Sequence, residues 1–153
     1  MASPPVRPVL ILDTSVVLKW FVEKDEPDVA RARELREAFL SQRCALRAPD
    51  LLLVEVANAM TAGHRSSPKE VTQALEAIQE IDLCLVGVQF PTLARAVELA
   101  STYGVTVYDA CFLAVAIESD GLLVTADEVF IRKVRPHPAV ASLASLQLPP
   151  TNL

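Results

Sequence analysis

Apolar positions along the chain fall into two rhythms that alternate from one end to the other. Short unbroken apolar runs, of the length of strands buried on both faces, occur at Val9-Leu10-Ile11-Leu12, at Leu83 to Val88 and at Leu122-Leu123-Val124-Thr125. A shorter one, Ala45 to Ala48, is closed by Pro49. Between these runs the apolar residues recur at helical spacing. After a loose lead-in at 1–7 and a strand over 8–13, Ser15 to Phe21 reads as a short helix with Val16, Val17 and Trp20 on one face. A longer helix over 28–42 carries the stripe Val29, Ala32, Leu35 and Phe39. Pro49-Asp50 opens a segment, Leu51 to Met60, apolar enough for a helix buried on most sides and running to about His64.

Ser67-Pro68-Lys69-Glu70 is a capping box with proline at the first helical position, and Val71, Leu75, Ile78 and Ile81 continue that helix. Together the segments around 50–80 form a helical hairpin. The next helix opens at Pro91, carries the stripe Leu93, Ala96, Val97 and Ala100, and stops at Gly104. Val105-Thr106-Val107 is a brief extended link into an alanine-rich helix from Tyr108 to about Ser119. Ala126-Asp127 starts a last helix with Arg132, Lys133 and Arg135 near its end, and the tail after it has room for one edge strand within 139–148. Strands alternating with helices predict an α/β fold, a three-layer α/β/α sandwich around a central parallel sheet. With 153 residues and no repeat or low-complexity linker, one domain over 1–153 is expected, its core at about 8–135 and a C-terminal tail at 136–153.

Composition narrows the function classes. A net charge of −5 offers no global attraction to a polyanion, so a nucleic-acid substrate would need metal ions or a local basic patch. Aromatic residues at 5% do not supply a stacking platform for single strands. Cys44, Cys84 and Cys111 are odd in number and far apart, which suits buried free thiols in a reducing cytoplasm rather than a disulfide framework or zinc knuckle. Asp13 and Lys19 interrupt the N-terminal apolar run before a secretory core forms, and no run is long enough for a transmembrane helix, so no membrane partner is expected.

Four acids sit where a carboxylate is unexpected. Asp13 and Asp127 follow the two buried runs at their carboxyl ends, where open α/β sheets bind ligands. Glu55 lies inside the apolar 51–60 run, and Asp109 heads a helix that is otherwise small and apolar. Read singly, Asp13, Asp109 and Asp127 are equally explained as helix N-caps, and Glu55 as half of a buried ion pair. Read together, they form a clustered negative charge that a hard divalent cation, Mg²⁺ or Mn²⁺, would neutralise. Such ions activate water and stabilise phosphoryl transfer, which points to phosphodiester hydrolysis. Thr14, Ser15, Asn58 and Thr125 flank the acids and are placed to hold ligands or waters, or to bond the local backbone. Competing chemistries fare worse. His64 and His137 are too isolated for an acid–base pair, and four glycines leave no phosphate-binding loop. Ser15 stands where a dehalogenase-type phosphatase needs a second aspartate, and the early acidic pair and late lysine of a receiver domain are missing.

Four segments carry a family resemblance: Leu-Asp-Thr-Ser-Val-Val-Leu-Lys-Trp (12–20), Pro-Asp-Leu-Leu-Leu-Val-Glu-Val-Ala-Asn-Ala (49–59), Tyr-Asp-Ala-Cys-Phe-Leu-Ala (108–114) and Leu-Val-Thr-Ala-Asp-Glu (123–128). In this order and spacing they resemble PIN-domain ribonucleases, above all the VapC-type toxins of toxin–antitoxin pairs, over about residues 9–135. The resemblance implies that Asp13, Glu55, Asp109 and Asp127 bind Mg²⁺ or Mn²⁺, with Ser15, Asn58 and Thr125 as accessory positions. It also implies endonucleolytic cleavage of RNA by metal-activated water, a homodimer, and inhibition by a cognate antitoxin protein. Val129 departs from the basic residue that many relatives carry there. The alternatives are a PIN-domain RNA-processing nuclease without an antitoxin and a catalytically idle PIN-like interaction module. The apolar helices at 28–42 and 68–81 exceed what one small core needs, a second reason to expect a homodimer.

Overall fold

In the computed structural model of the chain, which describes residues 6–151, five strands form one parallel sheet in the order β3-β2-β1-β4-β5. The strands are β1 (Val9–Leu12), β2 (Ala45–Pro49), β3 (Cys84–Val86), β4 (Leu122–Thr125) and β5 (Val140–Ser142). The helices are α1 (Thr14–Val17, continued as a 3-10 turn to Trp20), α2 (Val29–Leu40), α3 (Leu51–Asn58), α4 (Pro68–Glu80), α5 (Phe90–Tyr103), α6 (Val107–Glu118) and α7 (Glu128–Val134). The lead-in expected at 1–7 and the end of the tail lie partly outside the described residues.

The chain steps outward from β1 to β2 and β3, then crosses back over the sheet to β4 and β5. Right-handed crossovers taken in opposite directions put their helices on opposite faces, which makes the sandwich. The reversal lies between β1 and β4, whose registered pairs are Leu10 with Leu122, Ile11 with Leu123 and Leu12 with Val124. Gly121 allows that pairing: a Cβ there would sit 3.0 Å from the Val9 carbonyl. Both strands are buried through to their carboxyl ends, as the unbroken apolar runs require.

α6 lies against β1, β2 and β4, and its Ala110 to Ala116 are all buried, as befits a helix apolar all round. α5 departs from the expected stripe. Its buried residues are Thr92, Ala96 and Ala100, while Leu93 and Val97 are exposed together with Phe90. The reason lies in its partner: Ala96 and Ala100 meet Ala110, Cys111 and Ala114 of α6, and small residues on both sides let the two helices approach closely. The larger residues are turned out.

α2 and α4 put most of their apolar residues into the chain's own core, Ala32, Leu35 and Ala38 from one, Val71, Ala74 and Ile78 from the other, although Leu40 at the end of α2 is exposed. A larger set of exposed apolar residues lies at Val54 on α3, Phe90, Leu93 and Val97 on α5, and Tyr108 on α6. The capping box at Ser67 and Glu70 is formed in both directions. α3 ends in a wider turn, with the His64 amide donating to the Ala59 carbonyl at 3.0 Å. Cys44 and Cys111 are buried, but Cys84 is exposed: β3 is an edge strand, and its side chains there are not covered.

Candidate functional site

Where β1 and β4 end side by side, the chain forms a crest of carboxylates and hydroxyls. The Asp13 amide donates to the Val124 carbonyl at 3.0 Å, extending the sheet one residue past β1. Asp13 is also the N-cap of α1, accepting from the Ser15 amide. All its described donors converge on one oxygen: Oδ2 accepts from Ser15 N (3.3 Å), Ser15 Oγ (2.5 Å) and Thr125 Oγ1 (3.0 Å). The two hydroxyls are in turn fixed by backbone donors, Ala126 N to Ser15 Oγ and Asp127 N to Thr125 Oγ1, each at 3.0 Å. Ser15 and Thr125 thus stitch the two strand ends together and hold Asp13 by one side of its carboxylate.

Asp127 caps α7, its Oδ1 accepting from the Phe130 amide at 3.0 Å. Glu55, on the α3 turn beside α1, accepts the Thr14 hydroxyl at 2.7 Å. Asp109 is in the first turn of α6 but does not cap it. Thr106 does, accepting from the Asp109 amide at 3.1 Å. The link expected at 105–107 therefore already starts the helix, and its signal was Thr106 followed three residues later by an acid. Asn58 is exposed at the end of α3, and no described hydrogen bond joins it to the acids.

The acids feel one another. Burial is the main force raising the proton affinity of Asp13, Glu55 and Asp109 above the ordinary carboxylate range. Asp109 adds to the rise at Asp13, both Asp13 and Asp109 add to it at Glu55, and Asp127 adds to it at Asp109. Hydrogen bonds from Ser15, Thr125 and Thr14 oppose it. Among the described residues, no ion pair within 4.0 Å involves any of the four. The buried ion pair that would have explained Glu55 without function is not formed.

Among the described residues, no three His, Cys, Asp or Glu side chains are gathered into a ready-made metal cluster. The donor set nonetheless suits a hard divalent cation. It is oxygen throughout, and no described ion pair within 4.0 Å neutralises it, which suits an ion that takes oxygen ligands and keeps several waters.

A parallel α/β sandwich with acids at its topological switch point belongs to the ligand-binding α/β sheets in general. The sequence comparison is more specific: the PIN domain family model matches residues 10–136, and the chain belongs to that family. It is 31% identical over 128 residues to Ribonuclease VapC3 of Pyrobaculum aerophilum, covering 81% of this chain and 93% of that protein. In fold it is similar to VapC20 of Mycobacterium tuberculosis, described as a sarcin-ricin loop cleaving toxin (TM-score 0.65, 16% identity, 83% of this chain and 99% of that one). It is also similar to VapBC2 of Rickettsia felis, solved bound to a promoter DNA fragment (TM-score 0.62, 19% identity, 88% and 98%).

Proposed function

We infer that the protein is a metal-dependent endoribonuclease, the toxin of a type II toxin–antitoxin pair, with Asp13, Glu55, Asp109 and Asp127 as its metal-binding and catalytic residues. One observation carries this reading: four carboxylates linked by repulsion through Asp109, none in an ion pair, at the reversal point of a parallel sheet. A scaffold gains nothing from such an arrangement, and a curated relative at 31% identity is a ribonuclease.

The four acids would hold Mg²⁺ or Mn²⁺, which when bound supplies an activated water and charge stabilisation at the phosphoryl oxygens. The chain's own work is positional. Ser15 and Thr125 fix Asp13 through Oδ2 and leave Oδ1 without a described protein donor, and Thr14 orients Glu55. Asn58, three residues beyond Glu55 and so on the same side of the helix, is an accessory group on the exposed rim. One PIN domain with a short tail, working in the reducing cytoplasm, completes the reading. Its partners are RNA, a cognate antitoxin and a second copy of the chain. The homodimer forms across the exposed apolar residues of α3, α5 and α6 rather than across α2 and α4.

The experiment is cleavage of structured RNA by purified, antitoxin-free protein, with 5′ ends mapped by sequencing. Cleavage is expected with Mg²⁺ or Mn²⁺, absent in EDTA, and lost in Asp13→Asn. Undiminished cleavage in EDTA overturns the reading.

A further inference from the structure

Beside the crest, Asp109 and Asp127 line a cavity of about 300 Å³ together with Val105, Thr106, Val129 and Lys133. Its volume is at the low end for small-molecule sites, room for one nucleoside rather than a stretch of chain. Its lining sets two carboxylates, which repel a polyanion, against one cation. That cation is Lys133, whose charge is near enough to oppose the rise in proton affinity at Asp109.

Lys133 is held in place although exposed: its Nζ donates to the Gly104 carbonyl at 3.0 Å. Gly104 closes α5 in the left-handed conformation, φ +66°, which glycine adopts without strain. An ammonium has three protons to donate, so this anchor leaves two for a ligand. In a chain of net charge −5, a tethered lysine beside the acids is a specific answer to a general repulsion.

We propose that this cavity receives the RNA nucleotide adjoining the cleaved phosphodiester, and that Lys133 is a positioning residue that binds the next phosphate along the strand. Val105 and Val129 offer apolar contact to the nucleoside between the two phosphates. Lys133 is the one cation among the described residues lining this cavity. The inference rests on the ribonuclease reading.

The test is steady-state cleavage of a single-stranded RNA oligonucleotide in Mn²⁺ at several NaCl concentrations, for the parent, Lys133→Met and Lys133→Arg. Binding of the same labelled oligonucleotide to Asp13→Asn, with and without Lys133→Met, is followed by fluorescence anisotropy. For Lys133→Met, KM should rise about five- to tenfold with kcat within about twofold, and binding should weaken by the same factor. The slope of log kcat/KM against log salt should become shallower by about 0.7, one phosphate contact on a single strand. Lys133→Arg should restore KM and the slope, which a merely structural role would not produce. A Lys133→Met enzyme with the parent's KM and salt slope, in a parent that cleaves, overturns the subsite alone. A parent that neither binds nor cleaves the RNA in Mn²⁺ overturns the ribonuclease reading and the subsite with it.

Discussion

Residues 13 to 20 carry a charged group at each end of one short helical stretch, and the two are treated in opposite ways. At its start Asp13 joins three other acids with no cation in contact. At its end Lys19 is 3% exposed and meets the Glu26 carboxylate at 2.7 Å, with His64 Nε2 a further 3.9 Å from the same glutamate. Where this chain buries a charge to hold its loop between α1 and α2, it supplies the opposite charge. Where it leaves charges unmatched, they are gathered around the carboxyl ends of the inner strands β1 and β4. The contrast sets a structural ion pair against the acids proposed to bind metal, and each side of it can be broken experimentally.

The largest effect is expected at the matched end. Lys19→Met keeps the aliphatic stem but strands the Glu26 carboxylate, which is largely buried, and should cost about 3 kcal/mol in urea unfolding. Lys19→Met with Glu26→Gln should recover most of that, because neither charge is then left alone. A cost below about 1 kcal/mol for the single variant would place the pair with ordinary surface ion pairs and blur the comparison.

At the unmatched end the effect should have the opposite sign and come from outside. Mn²⁺ at a hundredfold excess over its Kd should raise stability by about 2.7 kcal/mol, read as an upward shift of the thermal melt. Asp13→Asn should lose most of that increment. Lys19→Met should keep it, since its damage lies in the other region. An equal increment in the parent and Asp13→Asn would remove Asp13 from the proposed metal site.

How much of this contrast was legible in the sequence depends on which kind of information it needed. Run length alone placed β1 and β4, because a strand buried on both faces has no polar alternation to hide it. The capping box at Ser67 was legible because its hydrogen bonds are local. The outward face of α5 was not. Leu93, Ala96, Val97 and Ala100 all fit helical spacing, and the choice among them was made by the small residues of α6, far along the chain. Cys84 was misjudged as buried because an apolar strand does not say whether it lies at the edge. The four acids could be named one by one, but their nearness follows from the strand order, which sets the end of β1 beside the end of β4. Thr106 was passed over as part of an extended link, although its hydroxyl is what releases Asp109 from capping duty.

That release makes Asp109 the place for the smallest and most discriminating measurement. Burial and the Asp127 charge raise its proton affinity above that of a free aspartate, whose pKa is 3.8, so the folded protein holds this proton more tightly than the unfolded chain. As pH rises past the unfolded value, the folded state then loses stability relative to the unfolded one, until Asp109 has ionised in both. Asparagine resembles the protonated acid in shape and charge. Without metal, Asp109→Asn should therefore melt with the parent near pH 4 and at or slightly above it at pH 7.5, by no more than about 1 kcal/mol. The variant should cleave no RNA, and its Mn²⁺ increment should largely vanish. Asp127→Ala is the contrasting control: Asp127 does cap its helix, so its removal should cost about 1 kcal/mol of apo stability. If Asp109→Asn instead weakens the apo protein as the loss of a cap would, and leaves the Mn²⁺ increment intact, Asp109 is a structural residue. The unmatched cluster then shrinks to three acids, and the line drawn between the two ends of α1 loses its chemical meaning.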